Sequence, residues 1–266
     1  GSNLQALCEV INRELLKVQD WLRCNKLSLN VSKTHYMIFC PKQKPSNDIK
    51  ITLSNEIIQR VYSTKFLGVI IDSDLSWRSH VEYICKKISK CTGILCKARR
   101  KFNKATLIGL YYSFAYSYLT YCNHVWGNAY PTTLRRLFIL QKRLLRIVTC
   151  SDFRAHTAPL FRSNRILSLK QINSYVVNTF VYECIDKTVP KMFHDYFISV
   201  RNIHERMTRQ VSNLHIRKFR IHIRYSAIKI HGAKIWNALP NEVREARSLN
   251  IFKSRLRNHL LNTEPW

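Results

Sequence analysis

The chain has 266 residues and a mass of 31.5 kDa, enough for one large domain or two to three small ones. Hydrophobic residues make up 46% of it and aromatic residues 11%, which excludes a wholly disordered polybasic tail. It carries 44 Lys and Arg against 16 Asp and Glu, so the net charge is +28 and the isoelectric point about 10.1. Because so large a charge repels itself in the folded state, the composition predicts a polyanionic partner.

The spacing of apolar residues predicts an α+β fold that is mainly α. A helix is expected over 4–22, followed by several short antiparallel strands between 35 and 71. Later helices are predicted over 77–97, 103–122, 131–149, 167–186, 226–237 and 248–262. Breaks near 75 and 151 predict three regions, which are a small antiparallel β region over 1–75, a helical bundle over 76–150 and a basic, mostly helical region over 151–266.

Positive charge is concentrated in the second half of the chain. The net charge is +4 over residues 1–60, +7 over 61–130 and +17 over 131–266. The second half is therefore expected to carry most of the affinity for a polyanion. An acidic membrane surface is the alternative, but we recognise no lipidation signal, and polar residues interrupt the uncharged segment Ala105–Thr133 too often for a bilayer span. We expect no membrane partner.

Residues 134–148 form the clearest single pattern. At about 100° per residue, the cations of this predicted helix fall within an arc of roughly 120°, and eight apolar residues lie opposite, namely Leu134, Leu137, Phe138, Leu140, Leu144, Leu145, Ile147 and Val148. These cations are Arg135, Arg136, Lys142, Arg143 and Arg146. No acidic residue lies among them, whereas a solvated helix face normally mixes both signs. This favours contact with phosphates, and an ordinary exposed face is the alternative.

A second basic pattern occurs over residues 218–225. Cationic and apolar residues alternate there, which on a strand puts Lys218, Arg220 and Arg224 on one face together with His222. That face would match the spacing of phosphates on an extended backbone. If the segment is helical instead, these charges scatter and the argument weakens.

A third basic cluster joins two predicted helices. It comprises Lys97, Arg99, Arg100 and Lys101. Its density suits a clamp on a phosphate backbone, but basic loops are common and phosphate contacts do not read sequence. None of the three patterns identifies which nucleic acid is bound.

The cysteines predict core thiols rather than a metal site. Nine cysteines are spread along the chain, and we expect them to be reduced in an intracellular protein. Cys85, Cys91 and Cys96 are spaced six and five residues apart, whereas zinc ligands come as close pairs. Cys122 and His124 lack a second pair, so we expect no metal site.

A metal-dependent nuclease is an unfavoured alternative. Asp72, Asp74 and Glu82 could in principle hold two metal ions. However, Asp72-Ser73-Asp74 precedes Trp77 in the pattern of a turn and helix cap. We therefore interpret these acids as structural.

An ordered series of motifs runs along nearly the whole chain. The first are WLRCNKLSLNVSKT at 21–34 and Met37-Ile38-Phe39; KFLGVIID at 65–72, LSW at 75–77 and His80 follow. Next come YCNHVWG at 121–127 and LQKRLLRI at 140–147, then His204, Thr208-Arg209, WNALP at 236–240 and Phe252-Lys253. Together they resemble reverse transcriptases of non-LTR retrotransposons, of the LINE type and of the Jockey-like and related clades.

This resemblance implies a C-terminal fragment of such a polymerase, with the end of the palm, the thumb and the C-terminal domain as its three regions. Polymerases of the family hold two Mg²⁺ ions on an aromatic-x-Asp-Asp motif and a further aspartate. No Tyr-x-Asp-Asp or Phe-x-Asp-Asp occurs in this sequence. We therefore expect no catalytic residue, no cofactor and no polymerase activity in this part, although the parent enzyme would need Mg²⁺.

The resemblance also implies roles for two groups in the first region. Lys33 matches the motif lysine near the departing pyrophosphate, where an ammonium group could donate a proton. A surface lysine beside a strand is the alternative. Phe66, Leu67 and Gly68 match the primer grip, a hairpin that holds the primer 3′ end. Phe66 and Leu67 could instead belong to the core.

The sequence therefore predicts a module that binds template RNA and RNA–DNA duplex. By resemblance, the helix at 134–148 grips the duplex backbone, and the basic C-terminal region holds the 3′ end of the element's RNA for target-primed reverse transcription. The implied partners are this RNA, the duplex and the rest of the polymerase, in the nucleus and in a cytoplasmic ribonucleoprotein. The competing hypothesis is a host-domesticated domain with a structural or protein-interaction role.

Overall fold

The computed structural model describes residues 4–40, 49–53, 56–203, 213–216 and 227–264. The chain divides into two compact units, residues 1–80 and 81–266. The predicted break near 151 lies inside the second unit. The assignment of three functional regions stays a prediction.

The first unit contains one long helix and short strands. Helix α1 spans Leu4–Cys24, and a 3₁₀ turn spans Val31–Lys33. The strands are β1 His35–Tyr36, β2 Thr52–Leu53, β3 Glu56–Ile57, β4 Gln59–Arg60, β5 Ser63–Phe66 and β6 Val69–Asp72. They associate in pairs, β2 with β3 and β5 with β6 in the predicted antiparallel sense.

The third strand pair departs from the sequence prediction. Strands β1 and β4 run parallel, with His35 opposite Gln59 and Tyr36 opposite Arg60. The antiparallel arrangement predicted for the whole region is therefore wrong for this pair. Parallel neighbours need a long crossover between them, and the chain between residues 36 and 59, which includes β2 and β3, supplies it.

A small apolar core holds the first unit together. It consists of Ile51, Leu53 and Ile58, with Ile11, Leu15, Leu29, Tyr36 and Ile49 packed against it. The side chain of Asn12 in α1 also bridges two backbone groups, since its Nδ2 donates to the Lys50 carbonyl at 3.2 Å and its Oδ1 accepts from the Thr52 amide at 3.1 Å. These bonds fix α1 against the start of β2.

The second unit is helical. Its helices, with the one that leads into it, are α2 Arg78–Ala98, α3 Lys104–Tyr111, α4 Ser117–Thr120, α5 Asn123–Trp126, α6 Pro131–Val148, α7 Thr157–Ser163, α8 Leu169–Ile185, α9 Ile228–Asn237, α10 Asn241–Arg244 and α11 Leu249–Asn262. A π turn over Tyr112–Tyr116 joins α3 to α4, and 3₁₀ turns span Lys191–Phe193 and Val200–Asn202. Proline at the first position of α6 suits a helix start, because the missing amide would have no partner there.

Helix α8 packs against helices from both halves of the second unit, namely α4, α5, α9 and α11. It starts with a capping box in which Ser168 and Gln171 satisfy each other's backbone amides. Further along, the ring of Tyr182 stacks on Phe252 of α11 with centroids 4.5 Å apart. The Tyr182 hydroxyl donates to the carbonyl of Ala246 at 3.0 Å. The C-terminal helices thus share one core with the helices before residue 151.

The predicted helices are confirmed to within two residues at each end, except that a π turn interrupts the one predicted over 103–122. The short helices α5, α7 and α10 were not predicted. The uncharged segment Ala105–Thr133 is buried on one side only, since Tyr111, Leu119 and Trp126 are 0% exposed whereas Tyr121 and Tyr130 are about half-exposed. Across the residues that the structure describes, no helix is both long enough and apolar enough to cross a membrane. The strand predicted over 218–225 lies outside the described residues.

Candidate nucleic-acid interface

Helix α6 has one buried and one cationic side, as predicted. Its buried residues are Leu134, Leu137, Phe138, Gln141, Leu144, Leu145, Ile147 and Val148. On the opposite side Arg135, Arg136 and Arg143 are exposed. None of these three arginines pairs with an acidic side chain of the described residues. Their guanidinium groups are therefore available to an external anion.

The other two cations of α6 also have contacts within the fold. The Nζ atom of Lys142 lies 4.3 Å from the centre of the Phe138 ring, in cation–π contact, and Lys142 is only half-exposed. The Nε atom of Arg146 donates to the carbonyl of Ala155 at 2.9 Å and so holds the loop that follows the helix. Both groups thus contribute to structure, which helical periodicity alone does not reveal.

The position of α6 is fixed by a buried amide that the sequence analysis did not single out. Gln141 is 0% exposed; its Nε2 donates to the carbonyl of Leu167, and its Oε1 accepts from the amide of Leu169, at 3.0 and 2.8 Å. These bonds join the middle of α6 to the start of α8. They hold the cationic side of α6 in a fixed orientation towards solvent.

Helix α2 brings further lysines to the surface beside α6. A groove of about 570 Å³ is lined by Tyr83, Lys86, Lys87, Ser89 and Lys90 of α2 and by Arg136 of α6. These three lysines are not among the cations predicted from the sequence, where only Lys97 of α2 belongs to a basic cluster. A signal was present, since residues 83–151 contain 13 Lys and Arg and no Asp or Glu.

The basic cluster after α2 is exposed. Lys97 lies in the last turn of α2, and Arg99, Arg100 and Lys101 form the turn that leads to α3. All four side chains are exposed. Cations at a helix C-terminus also interact favourably with the helix dipole, so part of their effect is on stability. The other predicted cationic residues, Lys218, Arg220 and Arg224, lie outside the described residues.

In the first unit, the predicted primer-grip segment forms the tip of the β5–β6 hairpin. Leu67 and Gly68 make the turn with φ angles of 44° and 82°, and two positive φ angles are characteristic of a tight two-residue hairpin turn. Phe66 is 62% exposed and Leu67 75% exposed. The alternative that these two residues belong to the core is therefore wrong for this structure. The predicted motif residue Lys33 is exposed at the end of a 3₁₀ turn, where Asn30 Oδ1 accepts from its backbone amide.

The acids considered for a nuclease have structural partners. Asp72 Oδ2 accepts from the Ser76 hydroxyl and the Ser79 amide, both at 3.3 Å, and Asp74 Oδ1 accepts from the Ser76 amide at 3.1 Å. This is the predicted turn and helix cap. Burial raises the pKa of the Cys85 and Cys91 thiols, as expected of core cysteines. In the described part of the chain, no three His, Cys, Asp or Glu side chains are placed to hold a metal ion.

Comparison with known proteins supports the resemblance found in the sequence. The chain is 26% identical over 139 residues to an RNA-directed DNA polymerase from the mobile element jockey of Drosophila funebris, a match that covers 49% of this chain and 14% of the relative. It is 22% identical over 165 residues to a probable RNA-directed DNA polymerase from the transposon X-element of Drosophila melanogaster, covering 60% of this chain and 18% of the relative. The matches thus span less than a fifth of each relative. No family model and no solved structure matches the chain. The predicted resemblance to reverse transcriptases of non-LTR retrotransposons is confirmed.

Proposed function

We propose that this chain, which is similar to RNA-directed DNA polymerases of mobile elements, is the C-terminal part of a LINE-type reverse transcriptase and binds nucleic acid. The main support is the cationic side of α6. There Arg135, Arg136 and Arg143 are exposed and unpaired with acids of the described residues, inside a 69-residue run, 83–151, that contains no Asp or Glu.

Arginine suits this role because its planar guanidinium group can donate two parallel hydrogen bonds to one phosphate. Arg135 and Arg136 are adjacent, and Arg143 lies about 10 Å further along the helix axis. The three side chains can therefore contact different phosphates of one backbone. Such contacts position a nucleic acid without reading its sequence, so binding through α6 should depend strongly on salt and weakly on sequence.

In the whole polymerase, this surface would grip the template RNA and the RNA–DNA duplex, and the basic C-terminal region would hold the 3′ end of the element's RNA during target-primed reverse transcription. The exposed tip of the β5–β6 hairpin, at Phe66 and Leu67, would contact the primer end, and Lys33 would lie near the departing pyrophosphate. The Mg²⁺ ions of such an enzyme need aspartates in a motif that this sequence does not contain, so we assign no catalytic step to its residues. The rest of the polymerase is then a partner of the chain, in the nucleus and in a cytoplasmic ribonucleoprotein.

The test is fluorescence-anisotropy binding across a salt series with the double variant Arg135→Gln/Arg143→Gln. The ligands are a hairpin RNA from the element's 3′ end, a shuffled RNA of equal length and an RNA–DNA duplex. Arg146 and Lys142 are left intact because replacing them would also disturb the fold. The matched control is Lys26→Gln/Lys50→Gln, which removes two exposed cations of the first unit that have no assigned binding role.

Loss of two phosphate contacts should lower the slope of log affinity against log salt by about 2 in the arginine variant, with little change in the control. Preference for the native hairpin over the shuffled RNA would indicate recognition of RNA shape in addition. Equal affinities of the arginine variant and the unaltered chain at every salt concentration would contradict the proposal. That result would favour the domesticated protein-interaction domain.

A further inference from the structure

The groove between α2 and α6 is built from residues that are far apart in sequence. Five of its lining residues come from the middle of α2, between Tyr83 and Lys90, and Arg136 comes from the first half of α6. The guanidinium group of Arg136 lies close enough to α2 to oppose the rise in pKa that burial causes at the Cys85 thiol. Packing of the two helices therefore places an arginine opposite a row of lysines.

The lysines form a stripe that continues beyond the groove. Lys86, Lys90 and Lys97 are four and seven residues apart, so they lie on one face of α2 and span about 16 Å of its length. All three are exposed, and Lys86 and Lys90 pair with no acid among the described residues. The stripe leads directly to the basic turn at Arg99, so the groove and that turn form one cationic path.

Gly93 lies on the same face of α2 between Lys90 and Lys97. Glycine in the interior of a helix costs about 1 kcal/mol relative to alanine. Packing within the chain does not require it, because a methyl group added there would meet no atom within 4 Å. A glycine at this point leaves the helix backbone open to close approach by another chain.

An aromatic ring completes the groove. Tyr83 lines it at half-exposure, and the Nζ atom of Lys87 lies 5.4 Å from the centre of its ring. Proteins commonly bind single strands through aromatic rings beside a cationic surface, because an unpaired base can stack on the ring while the cations contact the phosphates. In a duplex, each base is already stacked between its neighbours, which leaves no face for Tyr83.

We infer that the α2–α6 groove binds a single strand of nucleic acid, with Lys86, Lys90 and Arg136 on its phosphates and Tyr83 against one of its bases. The inference rests on the proposed function and goes beyond it, because it assigns a different ligand to a groove that shares Arg136 with the cationic side of α6 but does not include Arg135 or Arg143. The phosphodiester backbone is common to RNA and DNA. The geometry therefore assigns a single-stranded ligand, and the experiment determines whether RNA or DNA is preferred.

The experiment compares single-stranded RNA, single-stranded DNA and a blunt RNA–DNA duplex, each about 15 nucleotides long, by anisotropy across a salt series. The variants of the whole chain are Lys86→Gln/Lys90→Gln, Tyr83→Leu and Tyr83→Phe, with Lys26→Gln/Lys50→Gln as the control. In the double lysine variant, the salt slope for single strands should fall by about 1.4, with a smaller change for the duplex. Tyr83→Leu should weaken single-strand binding about fivefold or more, and Tyr83→Phe, which keeps the ring, should restore it.

The outcomes separate this inference from the proposed function. If Arg135→Gln/Arg143→Gln weakens binding and the α2 variants do not, the groove is not a binding site, although the proposed function stands. An equal loss for single strands and duplex in the α2 variants would also overturn the inference, since the groove would then be a general phosphate surface. No loss in either the α6 or the α2 variants would contradict both. Equal losses for RNA and DNA would mean that the site does not read the 2′-hydroxyl group.

Discussion

The amide Nε2 of Gln141 in α6 donates a hydrogen bond of 3.0 Å to the hydroxyl of Tyr111 in α3, and both residues are 0% exposed. Burial raises the pKa of the Tyr111 hydroxyl, so this group stays protonated at neutral pH. The bond is one of three made by the Gln141 side chain, which also contacts Leu167 and Leu169. Three segments of the second unit therefore meet at one side chain.

Replacing Gln141 should destabilise the second unit strongly. The variant Gln141→Leu fills the same space with an apolar side chain but leaves the buried Leu169 amide without its hydrogen-bond acceptor. The lost acceptor should lower the unfolding free energy by about 1–3 kcal/mol. Tyr111→Phe removes one hydroxyl and keeps the ring, so it should cost about 1 kcal/mol. Urea denaturation of the two single variants and the double variant measures the coupling between them. Fully additive losses would show that the 3.0 Å bond contributes nothing of its own.

Gly127 should not tolerate even alanine. A methyl group at Gly127 would lie less than 3.0 Å from side-chain atoms of Asn123 and Asn173, which hydrogen-bond to each other in the core. Gly127→Ala is therefore expected to cost about 1–3 kcal/mol of unfolding free energy. The matched control is Gly109→Ala in α3, where the methyl group meets nothing within 4 Å and should stabilise the helix by about 1 kcal/mol. Thermal unfolding of both variants checks the opposite signs, and a stable Gly127→Ala protein would contradict the packing described here.

His231 should make the fold sensitive to mild acid. Burial, assisted by the charge of Lys234, lowers the pKa of His231 to about 4, and its Nε2 lies 3.2 Å from Asn173 Oδ1. Between about pH 4 and pH 6.5 the unfolded chain therefore binds a proton that the folded chain does not, so stability falls as the pH falls through this window. Denaturation midpoints at about pH 7 and about pH 5 should differ less in His231→Gln than in the unaltered chain. Burial also lowers the pKa of His124, so some pH dependence of stability should remain in the variant. If the difference between the two midpoints is the same in His231→Gln as in the unaltered chain, the role assigned to His231 is wrong.

The hairpin tip should gain stability when Leu67 is replaced. Leu67 has a φ of 44°, in the left-handed region, where the clash between Cβ and the backbone costs most residues other than glycine about 1 kcal/mol or more. Asparagine adopts this conformation readily, so Leu67→Asn should raise the unfolding free energy of the first unit by about 1 kcal/mol. Leu67→Ala removes the same exposed side chain but keeps the strained conformation, so it should bring no such gain. If the hairpin tip contacts the primer, the stabilised variant should also lower primer extension by a complete polymerase.

Local sequence was sufficient for the long helices and for the chemistry of α6, but it did not predict the short helices α5, α7 and α10. Its apolar residues recur every three or four positions, and this spacing alone requires one buried side and leaves Arg135, Arg136 and Arg143 on the other. The turn at Asp72 and Asp74 was equally accessible, because a helix cap depends only on residues within a few positions. The motif series likewise gave the resemblance to reverse transcriptases without any structure.

Contacts between distant residues decided what the sequence left open. Nothing local distinguishes Arg146, which bonds to Ala155, from Arg143, which faces solvent, since both lie on the same helix face. The parallel pairing of β1 with β4 depends on how the intervening chain crosses over, and two-residue strands are too short to encode it. Lys90 and Arg136 line one groove although 45 residues separate them in the chain. Periodicity determines which side of a helix is cationic, but only the packing of helices determines which cationic sides meet, because that depends on the fit of their buried faces.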